Sequence, residues 1–337
     1  MDAKPRNACA MRGIELAPEH PVPTVVDHGV AAERAGFDTV FASGHYNNRD
    51  PFVVLDRIAA RTEGVRVGPG VANPYETHPV SLASRVATLQ ETSGGRAVFG
   101  IGAGDRSTLA NLGYEREQPL RRVLETMVVA RSLWAGDRVT HDGVFTVDDA
   151  GLNYDVAGEI PVYVGAQGPH MIRMSAKHAD GVLLNASHPL DVEWAADQVE
   201  IGLADRPAER GSFDVVAYAS VSLAADEAAA LDAARPPVAF IAAGAPRQVL
   251  DRHGIDPTLT AEIGDLLGAG AFREAFATVT EPMIEAFCVA GTPATVTERL
   301  AEIRPFVDGF VVGSPLGPTL DEAIPLAGSV LDEVSPA

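Results

Sequence analysis

The chain predicts a (β/α)₈ barrel of the TIM class, on three observations. Eight short apolar runs occur, each followed by a stretch with helical spacing. The runs are nearly continuous in Val, Ile, Leu and Phe, as strands buried on both faces require. The length of 337 residues exceeds the about 250 that such a barrel needs. The surplus is expected mainly at about 244–290, a helical insertion before the last strand, with lesser insertions near 106–118 and 136–159. A single barrel domain over 1–337 is expected, preceded by a loose extension over 1–11. The competing architecture, an open doubly wound sheet, wants a phosphate-binding loop after its first strand, and strand 1 runs instead into LAPEHP. GIGAGD places glycines at 100, 102 and 104 but lacks the third member of a dinucleotide fingerprint.

The elements follow in order. RGIELAP (12–18) is strand 1. Residues 21–36 form a helix, with Val22, Val25, Val26, Val30 and Ala31 near helical spacing and Gly36 as its stop. FDTVFAS (37–43) is strand 2, followed by GHYNNRDP and a helix over 52–62. In VRVGPGVANPY (65–75), strand 3 begins with alternating valines and breaks at Gly68-Pro69-Gly70. Proline removes a donor and glycine opens backbone angles closed to other residues, so a bulge or sharp kink is expected. Those residues alone also suit an ordinary strand-ending turn. A helix over 79–92 leads to strand 4, RAVFGIGAGD (96–105). A long helix over 115–134 shows Leu120, Val123, Leu124, Met127 and Val128 on one face. The polar stretch 136–159 reads as a small hairpin. Strand 5 is IPVYVGAQGP (160–169), with a short helix after it. Strand 6 is DGVLLNA (180–186), with a helix to about 208. Strand 7 is FDVVAYASVSLA (213–224). Helices fill about 226–304, strand 8 is GFVVGSP (309–315), and a helix closes the chain over about 319–335.

Composition narrows the function. Forty-six acidic against 26 basic residues give a net charge of −20, a surface that repels nucleic acid and anionic lipid. Lys4 and Lys177 are the only lysines. Such a balance fits a salt-loving host; a GC-rich genome also favours arginine over lysine. The N-terminal MDAKPRNACAMRG has no apolar core of a signal peptide, and no run approaches the roughly 20 apolar residues of a membrane span. A cytoplasmic enzyme is expected, and a homo-oligomer, dimer or tetramer. Cys9 and Cys288 form no metal or disulfide pattern, and no His/Cys spacing suggests a metal.

In a barrel the chemistry gathers at the carboxyl ends of the strands. Strand 1 offers Glu15 between Ile14 and Leu16; it points inward if they point outward, and burial would raise its pKa into the range of a general acid. An exposed strand glutamate is the alternative. Strand 2 gives His45, Tyr46 and Asn47, where the histidine is either a structural hydrogen-bonder or a ligand contact. Strand 3 gives Gly70, Val71 and Asn73. Strand 4 gives Asp105, a candidate acid or the N-cap of the next segment. Strand 5 gives Gly165, Ala166, Gln167, Gly168 and Pro169, and strand 6 gives Asn185. In GAQGPHM and VGSPLGP, small residues lead from strand into helix, where backbone N–H groups can hold a phosphate. Two such turns with a kinked third strand suggest a flat phosphorylated cofactor.

GIELAP, HYNN, GPGVANPY, SGGRAVFGIGAGD, PVYVGAQGP, DGVLLNAS, DRHGID, MIEAFCVAGTP and VVGSPLGP resemble, in order from strand 1 to strand 8, methylene-tetrahydromethanopterin reductase of the bacterial-luciferase-like superfamily. The resemblance implies a (β/α)₈ barrel, coenzyme F-420 (an 8-hydroxy-5-deazaflavin), and a non-prolyl cis peptide at Gly70–Val71 backing the deazaflavin ring. It makes His45, Asn73 and Asp105 pocket residues, Gly165–Pro169 a phosphate-side contact, and Glu15 the candidate proton donor, with Tyr46, Asn47 and Asn185 on the substrate. One position departs: the family's usual aspartate before the histidine is Gly44 here. The implied reaction moves hydride from reduced F-420 to 5,10-methylene-tetrahydromethanopterin, giving the 5-methyl product. Three alternatives stand beside it: the same chemistry on methylene-tetrahydrofolate, an FMN-dependent monooxygenase, and a non-catalytic flavin-binding relative.

Overall fold

Each of the eight apolar runs becomes a parallel strand, and the strands close into a ring. The computed structural model describes residues 11–334. Its strands are β1 (Arg12–Leu16), β2 (Thr39–Ala42), β3 (Arg66–Pro69), β4 (Phe99–Gly102), β5 (Val139–Asp142), β6 (Thr146–Ala150), β7 (Val162–Ala166), β8 (Gly181–Asn185), β9 (Asp214–Leu223), β10 (Val289–Gly291) and β11 (Gly309–Leu316). Neighbours run β3-β2-β1-β11-β9-β8-β7-β4. Two bridges, Val67 to Ala97 and Ala72 to Ile101, join β3 to β4 and close the barrel. The hairpin expected in 136–159 is β5 paired antiparallel with β6.

Helices alternate with the strands. They are α1 (Val22–Arg34), α2 (Pro51–Ala59), α3 (Pro79–Thr92), α4 (Arg106–Asn111), α5 (Pro119–Trp134), α6 (Pro169–His178) and α7 (Pro189–Leu203), then α8 (Glu227–Gly244), α9 (Arg247–His253), α10 (Pro257–Gly268), α11 (Phe272–Thr278), α12 (Glu281–Phe287), α13 (Pro293–Ile303) and α14 (Leu320–Val334). Seven of them, α2, α3, α5, α6, α7, α10 and α13, start on proline. There its fixed φ is already helical and its missing N–H leaves no bond unmade.

Inside the ring, Met11, Phe41, Val98, Tyr163, Leu183, Val216 and Val311 fill the barrel. Fully burying such a side chain stabilises by about 1.5–3 kcal/mol, so this end is a plug rather than a channel. Met11 is buried and its carbonyl accepts from Phe310 N at 2.8 Å. It therefore belongs to the barrel rather than to a loose extension; the rest of that expected extension lies outside the described residues. A second correction concerns residues 226–304, expected to be helical throughout. Val289–Gly291 is a strand, paired parallel with Val221–Leu223 of β9. Three residues carry too little period to be read alone. Helices α8 to α12 pack around their own apolar cluster, including Val238, Leu250, Ile263, Met283 and Phe287.

Candidate active site

The β3 ladder to β4 is interrupted between its two bridges, at residues 68–71. Val67 and Ala72 bond across to β4, the latter giving its N–H to Gly100 O and accepting from Gly102 N, both at 2.9 Å. The four residues between bulge towards β4. Their path is possible because β4 lacks side chains there. A Cβ at Gly100 would lie 2.0 Å from Pro69 O, and one at Gly102 would lie 2.7 Å from Val71 Cγ2. On β7, a Cβ at Gly165 would lie 3.2 Å from Val71 Cγ1. The Gly70–Val71 peptide is cis, as the resemblance implies. The bulge thus rests the Val71 side chain on a shelf of glycines.

Above that shelf opens a cavity of about 800 Å³, within the range of small-molecule sites, about 300–1,000 Å³. Most of the residues expected at the site line it: His45, Gly70, Val71, Asn73, Asp105, Gly165, Ala166, Gln167, Gly168, Pro169 and Asn185. Gly44 lines it too, and a Cβ there would stand 3.3 Å from Val71 O. Asn73 is buried and its Oδ1 accepts from Tyr75 N and Glu76 N, which fixes the chain just beyond the bulge. Tyr46 instead lines a smaller adjoining cavity of about 230 Å³ that shares Gly44, His45 and Asn73. Asn47 is exposed at the tip of a turn closed by Asn48 N to His45 O and lines neither cavity.

Glu15 sits just under the cavity rather than in its wall. It is 5 % exposed, and its Oε2 accepts from Ser314 N at 3.1 Å. Burial pushes its pKa up, against the lowering effect of hydrogen bonds from Ser43 and Ser314. A Cβ at Gly313 would lie 3.2 Å from Glu15 Oε2 and 3.5 Å from Tyr218 Cε1, so carboxyl and ring are neighbours. Tyr218 does line the cavity, and its hydroxyl donates to Gly70 O at 3.3 Å. Its own pKa is pushed well up, by burial and then by Glu15.

Asp105 behaves as the other reading had it. Its Oδ1 accepts from Thr108 N (2.8 Å), Thr108 Oγ1 (2.8 Å) and Ser107 Oγ (2.5 Å), which caps α4. Partial burial raises its pKa, but these bonds outweigh burial and hold it below the usual carboxylate range. Asp105 is thus the N-cap of α4, and its lowered pKa disfavours the protonated form that a general acid needs.

The outer wall comes from α7 and the helical segment expected near 244–290, through contacts that the sequence does not show. Arg252 of α9 pairs with Asp191 of α7 and lies 4.8 Å from the Trp194 ring centroid. His253 Nε2 is 2.7 Å from the other oxygen of Asp191. Burial raises the Asp191 pKa, and the bonds to His253 and Arg252 bring it below its usual value. This clamp ties the α8–α12 segment to the barrel, and Val249 and Phe287 of that segment face the cavity. The missed signal is an aspartate in the first turn of α7, 61 residues before its partner arginine. Only the fold brings them together. Among the described residues no three His, Cys, Asp or Glu side chains converge as a metal site.

A closed barrel with a cavity at the carboxyl ends of its strands, floored by glycines and the β3 bulge, is the scaffold of a (β/α)₈ enzyme with a small-molecule site. The luciferase-like monooxygenase family matches residues 8–307. A 5,10-methylenetetrahydromethanopterin reductase from Methanolobus tindarius is 41 % identical over 318 residues, 94 % of this chain and 98 % of that protein. One from Archaeoglobus fulgidus is 41 % identical over 322 residues, 94 % and 97 % of the two chains. The solved coenzyme F-420-dependent tetrahydromethanopterin reductase of Methanopyrus kandleri superposes with a TM-score of 0.88 at 37 % identity, covering 95 % of this chain and 98 % of that one. The chain belongs to the luciferase-like family and, within it, to the 5,10-methylenetetrahydromethanopterin reductases.

Proposed function

We propose that the protein reduces 5,10-methylene-tetrahydromethanopterin to its 5-methyl product with reduced coenzyme F-420. The observation that carries this reading is the extent of the likeness. Identity of 41 % spans 98 % of the Methanolobus reductase, so the barrel and the α8–α12 segment, which together wall the cavity, are both shared.

The residues present fit a deazaflavin. Val71, raised on Gly102 and Gly165, offers an apolar floor for a flat ring. The Gly165–Pro169 turn opens α6 with backbone N–H groups that have no helical partner, a setting for the phosphate. The bound cofactor supplies the hydride, from C5 of its reduced ring. The protein's part is position and protons. The Tyr218 hydroxyl holds the bulge by Gly70 O, which fixes the height of the floor. Opening the five-membered ring of the substrate requires a proton on its departing nitrogen. Glu15, kept protonatable by burial, is the source, next to the cavity behind Tyr218. Its raised pKa sets the sign: the rate falls as pH rises through that value. Asn185 and Tyr46 are assigned to the substrate, from the main and the adjoining cavity.

No helix among the described residues is long and apolar enough to cross a membrane. The net charge of −20 supports a reading in which the enzyme works in a salt-rich cytoplasm; a homo-oligomer is proposed besides, and sedimentation in molar salt checks it. The function itself is tested with a panel: methylene-tetrahydromethanopterin and methylene-tetrahydrofolate, each with reduced F-420, reduced FMN and NADH. Turnover with F-420 and the methanopterin substrate is expected. Oxygen-dependent turnover with FMN alone, or none with any pair, overturns it.

A further inference from the structure

Two arginines line the cavity, and they differ in their partners. Arg252 is paired with Asp191 and stacked on Trp194. Arg116, in the loop between α4 and α5, makes no salt bridge among the described residues. Its Nη1 donates to Gly104 O at 3.2 Å, and its Nε is buried with no acceptor. A guanidinium that lines a cavity without an ion pair offers its terminal N–H groups to an oxyanion, which accepts two at once. The nearby Asp105 forms no ion pair with it among the described residues; that carboxylate accepts through Oδ1 from Ser107 and Thr108.

The position of Arg116 says which end of a ligand it meets. Gly104, to which it is anchored, lies two residues beyond Gly102, and Gly102 is in register with Gly165 of β7. Arg116 is therefore held over the end of β4, the strand between β3 and β7, beside the strand that opens the Gly165–Pro169 turn and away from β1. In a chain of net charge −20, the long-range field repels an anion, so a fixed local cation carries the attraction.

We propose that Arg116 is an oxyanion contact for the tail of the cofactor, supplementing the α6 turn and setting affinity for the phosphorylated, glutamylated form over the bare ring. This rests on the F-420 reading. The shared chemistry is an oxyanion, either phosphodiester or carboxylate.

The test measures dissociation constants by the fluorescence of the deazaflavin, without turnover. The ligands are the ring with its ribityl chain only, the phosphorylated lactyl form without glutamates, and the diglutamyl form. In Arg116→Gln the tailed forms should bind about tenfold or more weakly, as for loss of a charge-assisted hydrogen bond, while the bare ring binds as in wild type. Arg116→Lys should recover part of the loss. Weakening of the phosphorylated form assigns the phosphodiester; weakening of the diglutamyl form alone assigns a carboxylate. Equal weakening of the bare ring, or no change in any ligand, overturns the proposal. Failure of the wild-type protein to bind any of the three removes the F-420 reading itself, and this proposal with it.

Discussion

Replacing Gly102 by alanine should strike the cavity floor directly. The new Cβ would stand 2.7 Å from Val71 Cγ2 and 3.5 Å from Gly165 O. Carbon atoms in contact settle at about 3.5–4.0 Å, so Val71 must move by about 1 Å. Val71 lines the cavity, and that open side is where the displaced side chain is expected to go. Overpacking of this kind costs about 1–3 kcal/mol of stability. A displacement of about 1 Å at a reacting centre costs on the order of 10²-fold in rate. Gly165→Ala should follow at smaller scale, since its Cβ would meet Val71 Cγ1 at 3.2 Å, a few tenths of an ångström from comfortable contact. Thermal melting establishes that each variant folds, deazaflavin fluorescence gives affinity, and single-turnover absorbance gives the chemical step. Wild-type affinity and rate in a folded Gly102→Ala protein would refute the idea that Val71 is the cofactor's floor.

Three further outcomes are expected. Glu15→Gln should lose about 10²–10⁴-fold in the chemical step, keep its cofactor affinity, and lose the alkaline decline in rate. Because the folded pKa of Glu15 is raised, its contribution to stability is present below the ordinary glutamate range and lost as pH rises through the raised value; the variant should therefore gain on wild type in melting temperature with rising pH. Asp105→Ala should cost about 1 kcal/mol through its lost cap and change turnover less than tenfold. Since the Asp105 pKa is lowered, that cost should be seen at neutral pH and vanish as pH falls through the lowered value. Finally, with 46 acidic against 26 basic residues, melting temperature should rise from dilute buffer to molar salt; a flat profile would remove the salt-loving reading.

The barrel is legible in the chain because buried parallel strands leave a strong signal. FDTVFA, RAVFGIG and DGVLLN are apolar on both faces, and proline marks the helix starts between them. The bulge is legible for a different reason: Gly68, Pro69 and Gly70 cannot continue a ladder. The glycines that receive it, Gly100, Gly102 and Gly165, look in sequence like a failed nucleotide loop. Their role is visible only once β4 and β7 lie under Val71. The capping role of Asp105 is legible in local chemistry, because Ser107 and Thr108 follow at capping distance. The roles of Tyr218 and Arg116 and the pairing of Asp191 with Arg252, which stands in DRHGID, are silent in the sequence. Each depends on partners far apart along the chain: Tyr218 is 148 residues from Gly70, and Arg252 is 61 from Asp191. β10 was hidden by shortness, three residues inside a helical region.

Direct transfer of hydride to the one-carbon unit is tested most simply with an isotope. F-420 reduced with deuterium at C5 is mixed with the protein and methylene-tetrahydromethanopterin for a single turnover in ordinary water. The product is then read by mass spectrometry and NMR. One deuterium in the new methyl group, in proportion to cofactor oxidised, is the predicted result. A methyl group carrying only solvent hydrogen, or cofactor oxidation without methyl product, would contradict the account.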